Sequence, residues 1–236
     1  MLSSEALLKK FARPNSRVTF IPNALDAELW RLRNEGEPAS LRQAKSRIRS
    51  DRDTIGYVDT PTRDEDLDAV RHAGADLQKR FPGRMDFQVI GGFRDAKNAF
   101  ASVIPLPLAN DDQSFLRWLQ KVVCRDIGVA LLVANRFNAK KSYVKFLECG
   151  ALGMATLCSN GSDYARVVKA GETGPLIEYT SRAWLSALSN LVRSPEERIG
   201  LARNMFRRRA AAPHPGQRRR GESDQCGPDC GDHRSF

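Results

Sequence analysis

Short apolar runs alternate with amphipathic segments along most of the chain, from residue 54 to about residue 208. Each apolar run predicts a buried strand, and these runs cover residues 54–58, 87–90, 102–106, 126–133, 155–158 and 175–177. Apolar residues at helical spacing predict helices between them, over residues 62–77, 111–121, 142–152, 163–169, 184–191 and 194–208. Strands that alternate with helices are typical of a parallel sheet with helices on both faces. The pattern therefore predicts an α/β, Rossmann-like fold.

Two of the predicted helices begin with a capping box, in which a Ser or Thr is followed three residues later by Glu. The boxes are Thr62-Arg-Asp-Glu65 and Ser194-Pro-Glu-Glu197. Pro195 also suits the first helical position, where a backbone N–H has no helical partner. We interpret Asp64-Glu-Asp66 as acids that favour a helix start rather than as metal-binding carboxylates.

The pattern divides the chain into three regions. Residues 1–16 contain a predicted helix at 3–12, and we interpret them as the remnant of a missing domain or the linker to it. Residues 17–209 form the Rossmann-like domain, which begins with a predicted strand at 17–21. Residues 210–236 are rich in Arg, Gly and Pro and lack apolar periodicity, which predicts a disordered tail.

Composition then narrows the class of protein. Hydrophobic residues make up 41% and charged residues 28% of the 236 residues, which is typical of a globular chain. The longest apolar runs, such as 127–134, are too short to span a bilayer, and the N-terminal residues do not resemble a signal peptide. Five Cys at irregular spacing do not indicate a disulfide framework. We therefore expect a cytoplasmic protein, with any membrane contact peripheral and at the inner face.

The net charge of +10 favours contact with polyanions. Much of the excess lies in two Arg-rich stretches, 42–52 and 203–220, which are typical of solvated surfaces or tails. Aromatic and basic residues are not interleaved as on a nucleic-acid-reading surface, so no specific nucleic-acid partner is expected. Cys226, Cys230 and His233 offer too few ligands for a closed zinc site, so no metal is expected.

The most informative segment runs from Asn135 to Ser159 and contains a strand-end loop, a predicted helix and the next strand. Ser142 is the predicted N-cap of this helix. Free backbone N–H groups and the helix dipole make such an end a site for anions. Lys140 and Lys141 add positive charge there, so the segment predicts a diphosphate site.

Lys141, Lys145 and Glu148 stand four and then three residues apart, which places them on one helical face. Two interpretations follow. The Glu148 carboxylate could accept both hydroxyls of a ribose while a diphosphate lies nearer the helix start. Alternatively, Lys145 and Glu148 form a surface ion pair that contributes about 0.2–0.5 kcal/mol.

These segments resemble, in order along the chain, the C-terminal, donor-binding half of family 4 retaining glycosyltransferases, which have the GT-B fold. The resemblance covers roughly residues 17–208 and depends on the following motifs: Val18-Thr-Phe-Ile-Pro-Asn-Ala-Leu-Asp26, Ile55-Gly-Tyr-Val58, Val89-Ile-Gly-Gly92, Asp126-Ile-Gly-Val-Ala130, Phe137-Asn-Ala-Lys-Lys-Ser142, Lys145-Phe-Leu-Glu148, Ala151-Leu-Gly153, Gly171-Glu-Thr-Gly174, and Trp184 with Leu188. The ordered set is more specific than any one motif.

The resemblance implies roles for the candidate residues. Glu148 matches the glutamate that holds the ribose of the donor nucleotide, and Lys141 is the main candidate for the diphosphate. Lys140 stands where the family has the first glutamate of its paired-glutamate motif, a departure that affects how the transferred sugar is held. The other candidates for the donor site are Asn138, Ser142, Lys145, Arg63, Ser159 and Tyr164.

The resemblance also implies a function. The chain would bind a nucleotide diphosphate sugar as co-substrate, without a further cofactor, for retaining sugar transfer in polysaccharide or glycolipid synthesis. A single GT-B C-terminal half is expected to need a separate acceptor-binding domain or chain, and its catalytic residues are not predicted. Two alternatives stay open: a truncated or regulatory module that binds nucleotide without catalysis, and a fragment of a GT-B nucleotide-sugar epimerase.

Overall fold

The computed structural model describes residues 2–12, 17–26, 28–30, 52–58, 64–91, 100–107, 111–122, 126–161 and 163–211. Within these residues the strands are β1 Asp53–Val58, β2 Met85–Ile90, β3 Ser102–Ile104, β4 Ile127–Ala130, β5 Ala155–Ser159 and β6 Leu176–Ile177. The α-helices are α1 Glu5–Phe11, α2 Asp64–Arg80, α3 Asp112–Val122, α4 Val144–Ala151, α5 Tyr164–Val167, α6 Ser181–Arg193 and α7 Pro195–Ala211. A short 3₁₀ helix spans Asn138–Lys140.

The six strands form one parallel sheet in the order β3-β2-β1-β4-β5-β6. This is the strand order of doubly wound nucleotide-binding folds, so the predicted α/β, Rossmann-like fold is confirmed. The direction in which the chain crosses the sheet reverses between β1 and β4. Ligands of such sheets bind in the crevice beyond the carboxyl ends of the strands at this reversal.

Helices cover both faces of the sheet. On one face α2 and α6 pack together, and the apolar residues that the sequence places on one side of α2 are fully buried there: Leu67, Val70 and Leu77. On the other face α3 and α4 cover the sheet through Leu119 and Cys149. Burial of each large apolar side chain contributes about 1.5–3 kcal/mol, so the two layers supply most of the stability.

A glycine sets the distance between α4 and the sheet. A Cβ atom at Gly128 in β4 would lie 3.0 Å from Cys149 Sγ and 3.3 Å from Met154 Cε. Real Cβ atoms rarely come so close to their neighbours. The missing side chain therefore lets α4 lie directly against β4.

A buried ion pair joins the beginning of the sheet to α7. Arg198 Nη2 lies 2.7 Å from Asp53 Oδ1, with 3% and 10% of the two side chains exposed. Arg198 Nη1 also donates a hydrogen bond to the carbonyl of Leu191 at 3.2 Å. These contacts fix α7 against the first strand and the end of α6.

The prediction of a strand at 17–21 is wrong. Phe20 makes only an isolated parallel bridge with Leu2. The N–H of Leu2 donates to the Thr19 carbonyl, and the N–H of Ile21 donates to the Leu2 carbonyl, both at 2.9 Å. Because this apolar segment pairs with the N-terminal residues, it does not join the sheet.

The predicted N-terminal helix is present as α1, and it lies against the loop after β4. Ser4 caps α1 by accepting a hydrogen bond from the N–H of Leu7 at 3.3 Å, and its hydroxyl donates to the Lys140 carbonyl at 2.7 Å. Glu5 forms an ion pair with Arg166 of α5 at 2.9 Å.

At the other end, α7 continues through residues 210 and 211, where the sequence predicts the tail, and residues 212–236 lie outside the described part. No described helix is long and apolar enough to cross a membrane.

Candidate functional site

The loop after β4 leads from the sheet to α4, and its shape differs from the prediction. Ser142 is not the N-cap, because α4 begins at Val144 and Tyr143 occupies the cap position without a side-chain cap. Lys141 is extended, with φ −76° and ψ 150°, since it follows the 3₁₀ turn of Asn138–Lys140. The helix therefore begins two residues later than the sequence predicts.

The start of α4 is partly covered. Tyr143 is 8% exposed, and its hydroxyl lies 3.4 Å from the Asn23 carbonyl, to which it donates. Val144 is 38% exposed. The side of the helix start that faces Asn23 is thus closed by chain, whereas the Val144 side is open.

A buried carboxylate, which the sequence analysis treats only as a helix-start acid, holds the loop in place. Asp66 in the first turn of α2 is 3% exposed. Its Oδ1 accepts hydrogen bonds from the N–H of Val133 at 2.8 Å and from Asn138 Nδ2 at 2.9 Å. Tyr179 donates to the Asp66 carbonyl at 3.2 Å. Helix α2 is thereby joined to the loop, although 67 residues separate Asp66 from Val133.

Asn138, a predicted donor-site residue, is 3% exposed and forms part of this connection. Its side-chain amide donates to Asp66 and, at 3.0 Å, to the Val133 carbonyl. Its backbone N–H donates to Asn135 Oδ1 at 2.7 Å. Both protons of the Asn138 side-chain amide are therefore donated to groups of the protein. These hydrogen bonds hold the loop that carries Lys140 and Lys141.

The two lysines around the start of α4 lie against aromatic rings. Lys145 Nζ is 4.9 Å from the ring centroid of Tyr57, a buried residue near the carboxyl end of β1. Lys141 Nζ is 4.9 Å from the ring centroid of Phe137, whose side chain is 69% exposed. Helix α4 follows β4, yet Lys145 reaches β1. The Lys145 ammonium therefore lies near the reversal of strand order between β1 and β4.

The Lys141 ammonium is shielded from solvent and has no hydrogen-bond partner among the described residues. Buried polar groups in proteins are almost always paired, and an unpaired charge is especially costly. A cation–π contact supplies only about 0.5–2 kcal/mol. The structure thus contains a cation suited to an anionic ligand.

Glu148 lies one turn after Lys145 on α4 and is half-buried. Burial raises the pKa of the neighbouring Cys149 thiol to about 12, with a further increase from the Glu148 charge and an opposing effect of Lys145. The charges of Glu148 and Lys145 therefore both affect the pKa of the same buried thiol. Glu148 and Lys145 each make further interactions in the protein.

The remaining predicted residues occupy different places. Ser159, 1% exposed at the end of β5, accepts a hydrogen bond from the N–H of Leu132 at 2.9 Å. Tyr164 is 1% exposed and belongs to an apolar cluster under α5. Lys140 contributes its carbonyl to the contact with Ser4. Arg63 lies outside the described residues.

A cavity of about 460 Å³ opens beyond the carboxyl ends of β4 and β5. It is lined by residues of the loops that follow these strands, including Val133, Arg136, Asn138 and Asn160. Asn138 is the one predicted donor-site residue among its described lining residues. In the described part of the chain, no group of His, Cys, Asp and Glu is arranged to hold a metal ion.

No family model and no curated protein sequence matches this chain. The fold, by contrast, is similar to that of many solved glycosyltransferases. WaaG, a glycosyltransferase involved in lipopolysaccharide biosynthesis, matches 90% of this chain and 58% of its own, with a TM-score of 0.63 and 15% identity. HepE from Anabaena, solved with UDP and glucose, matches 89% of this chain and 57% of its own, with a TM-score of 0.58 and 12% identity.

A third match defines which part of such an enzyme the fold corresponds to. The C-terminal domain of the group 1 glycosyl transferase LpcC from Francisella tularensis matches 78% of this chain and 95% of its own length, with a TM-score of 0.52 and 18% identity. The chain spans little more than half the length of the larger enzymes that it matches. Its fold is therefore that of one Rossmann-like half of a GT-B glycosyltransferase.

Proposed function

We propose that this chain binds a nucleotide diphosphate sugar at the carboxyl ends of β1 and β4, as the donor-binding half of a glycosyltransferase. The observation that carries the proposal is the Lys141 ammonium, which is buried without a hydrogen-bond partner among the described residues. It lies in the loop that enters α4, beside the reversal of strand order where ligands of this fold bind.

The two lysines suit the diphosphate. Lys141 precedes the start of α4, and Lys145 in its first turn reaches over Tyr57 to the end of β1. An anion between them would also face the first N–H groups of α4, which carry the positive end of the helix dipole. Electrostatic stabilisation of the departing diphosphate would then contribute to sugar transfer.

Glu148 suits the ribose. It lies one turn further along α4 than Lys145, so a carboxylate follows the lysines in the direction away from the helix start. HepE was solved with UDP-glucose as well as with UDP and glucose, and its fold matches 89% of this chain. That likeness supports a nucleotide sugar as the ligand of the same half in this protein.

The other parts of the proposal follow from the resemblance stated above. We propose retention of anomeric configuration, a role in polysaccharide or glycolipid synthesis, and a separate acceptor-binding domain or chain. The protein would act in the cytoplasm, with peripheral contact at the inner face of the membrane. We propose no metal for the reaction, because the lysines and the start of α4 would balance the charge of the diphosphate.

Calorimetry tests the proposed diphosphate position and the proposed ribose position separately. The chain is titrated with UDP, GDP, ADP and inorganic pyrophosphate. We expect one nucleoside diphosphate to bind, and Lys141→Gln to weaken binding of both this nucleotide and pyrophosphate at least about tenfold. Glu148→Gln should weaken the nucleotide by a similar factor but leave pyrophosphate unchanged, because only the nucleotide carries a ribose.

Glu197→Gln in the first turn of α7 is the matched control, since this residue is exposed and belongs to another helix. Its binding should equal that of the unsubstituted chain. If no nucleoside diphosphate bound at about 1 mM, where an interaction of about −4 kcal/mol would be detected, the proposal would be wrong.

A turnover assay distinguishes an enzyme half from a binding module without catalysis. Hydrolysis or transfer of the sugar from the bound donor, on addition of an acceptor-binding partner, would support the enzyme. Tight nucleotide binding without turnover in the presence of that partner would support the non-catalytic alternative.

A further inference from the structure

A second cavity lies on the opposite side of α4 from the β1 end of the sheet, between α4, α5 and α7. Its volume is about 380 Å³, within the roughly 300–1,000 Å³ of small-molecule sites. Apolar side chains form most of its wall: Tyr143, Phe146, Leu147, Val167 and Met205. The cavity does not include the lysines or the glutamate of the proposed donor site.

Three cations surround this apolar wall: Arg166, Lys169 and Arg208. Arg166 is already paired, with Glu5 at 2.9 Å and with Asp163 at 3.6 Å. Lys169 and Arg208 are exposed and make no side-chain ion pair within the described residues. Their two charges are therefore available to a ligand.

Two polar groups of the cavity wall are hydrogen-bond donors, the Asn23 side-chain amide and the Tyr143 hydroxyl. Asn23 Nδ2 is shielded from solvent and has no hydrogen-bond partner in the described part of the chain. The Tyr143 hydroxyl donates to the Asn23 carbonyl at 3.4 Å, and burial raises its pKa, so it stays protonated at neutral pH. The unpaired Asn23 amide beside two exposed cations suits an acceptor that carries negative charge.

We propose that this cavity binds one molecule of an anionic amphiphile, whose apolar chain lies against Phe146 and Met205 and whose phosphate or carboxylate contacts Lys169, Arg208 and Asn23. The apolar residues line a recess instead of projecting, whereas a membrane-binding surface presents apolar side chains outward. The cavity therefore accepts a single dispersed molecule, and it is separate from the proposed nucleotide site.

Dodecyl phosphate below its micelle concentration is the probe, and calorimetry on the full chain measures its binding. We expect saturable binding of one molecule per chain. Lys169→Gln with Arg208→Gln should weaken it at least about tenfold. Dodecyl maltoside, which has the same chain without the charge, should bind at least about tenfold more weakly than the phosphate.

The matched control is Lys79→Gln with Arg80→Gln, which removes two charges from the exposed end of α2 on the other face of the sheet. It should bind dodecyl phosphate like the unsubstituted chain. A saturating concentration of the nucleoside diphosphate that calorimetry selects should not displace the probe. Loss of that nucleotide's binding in any variant bears on the proposed donor site alone.

Three results would overturn the inference. One is unchanged dodecyl phosphate affinity in the Lys169 and Arg208 variant. Another is displacement of the probe by the selected nucleoside diphosphate, which would place the probe in the nucleotide site. The third is binding to phosphatidic acid vesicles that requires Lys169 and Arg208 but no binding of the dispersed probe, which would indicate a membrane surface instead of a cavity.

Discussion

At the scale of single residues, the loop after β4 depends on one buried carboxylate. Asp66 accepts two hydrogen bonds from this loop, and Asn138 connects the same carboxylate to the Val133 carbonyl. Lys140 and Lys141 come two and three residues after Asn138. The position of the proposed diphosphate site is therefore coupled to the start of α2.

We predict that Asp66→Ala lowers the free energy of unfolding by about 2–4 kcal/mol, because hydrogen bonds to charged groups contribute roughly 1.5–3 kcal/mol and their buried donors would lose a partner. It should also weaken nucleotide binding. Urea denaturation and calorimetry measure the two effects. Asp68→Ala is the control on the same helix, since Asp68 is 64% exposed and pairs with Arg71 at 3.4 Å; its effect should stay below about 1 kcal/mol. Equal effects of both variants would contradict this role of Asp66.

The thiol of Cys149 gives a pH-dependent prediction. Burial raises its pKa from 9.0 to about 12, so the folded protein keeps a proton that the unfolded chain releases. This contribution to stability is complete below pH 9.0 and is lost as the pH rises towards about 12. Urea denaturation across this range should show a falling free energy of unfolding, with a shallower fall in Cys149→Ala. An identical slope in the variant would rule out the thiol as the cause.

At the scale of secondary structure, Gly174 allows the segment before β6 to pass β5. Its φ is +151°, and a Cβ there would lie 2.3 Å from the Thr156 carbonyl oxygen. We predict that Gly174→Ala destabilises the fold by several kcal/mol, because backbone atoms would have to move. Gly171→Ala is the control, since φ is +76° but no atom lies within 4 Å of its Cβ position. It should cost only about 1–2 kcal/mol in backbone strain. Similar unfolding midpoints for the two variants would contradict the steric explanation.

The sequence predicts the sheet well because its signals are local. The apolar run of β1 and the buried face of α2 depend on residues close together in the chain. Boundaries set by distant partners are less predictable. The segment 17–21 forms a bridge with Leu2 and is not a strand of the sheet. Helix α4 begins after Ser142 because a 3₁₀ turn leaves Lys141 extended.

The candidate site is predictable in part for the same reason. The charge of Lys141 and Lys145 and their place near the start of α4 follow from a short segment. The role of Asp66 does not, because its partners lie 67 and 72 residues away. Only the fold brings the first turn of α2 to the loop after β4.

At the scale of the whole molecule, the Arg198–Asp53 pair joins α7 to the beginning of the sheet. We predict that Arg198→Met lowers the free energy of unfolding by about 3–5 kcal/mol, because it leaves a buried carboxylate without its partner. The double variant Arg198→Met with Asp53→Asn should lose less than the sum of the single variants. If urea denaturation showed that the losses in free energy of unfolding are strictly additive, the pair would not couple these elements.

The fold of the molecule matches one half of larger glycosyltransferases, and the proposed site lies where the strand order reverses. A nucleotide bound there would contact β1, the loop after β4 and α4 together. Such a ligand would bridge elements that are distant in the sequence. Its binding should therefore stabilise the folded chain by RT ln(1 + [L]/Kd), a gain that rises with the logarithm of its affinity.

A crystal structure of the chain with the nucleoside diphosphate that calorimetry selects tests the central claim most directly. We predict diphosphate oxygens within about 3 Å of Lys141 Nζ and ribose hydroxyls within about 3 Å of a Glu148 carboxylate oxygen. A nucleotide bound elsewhere, with both of these side chains remote from it, would contradict the account.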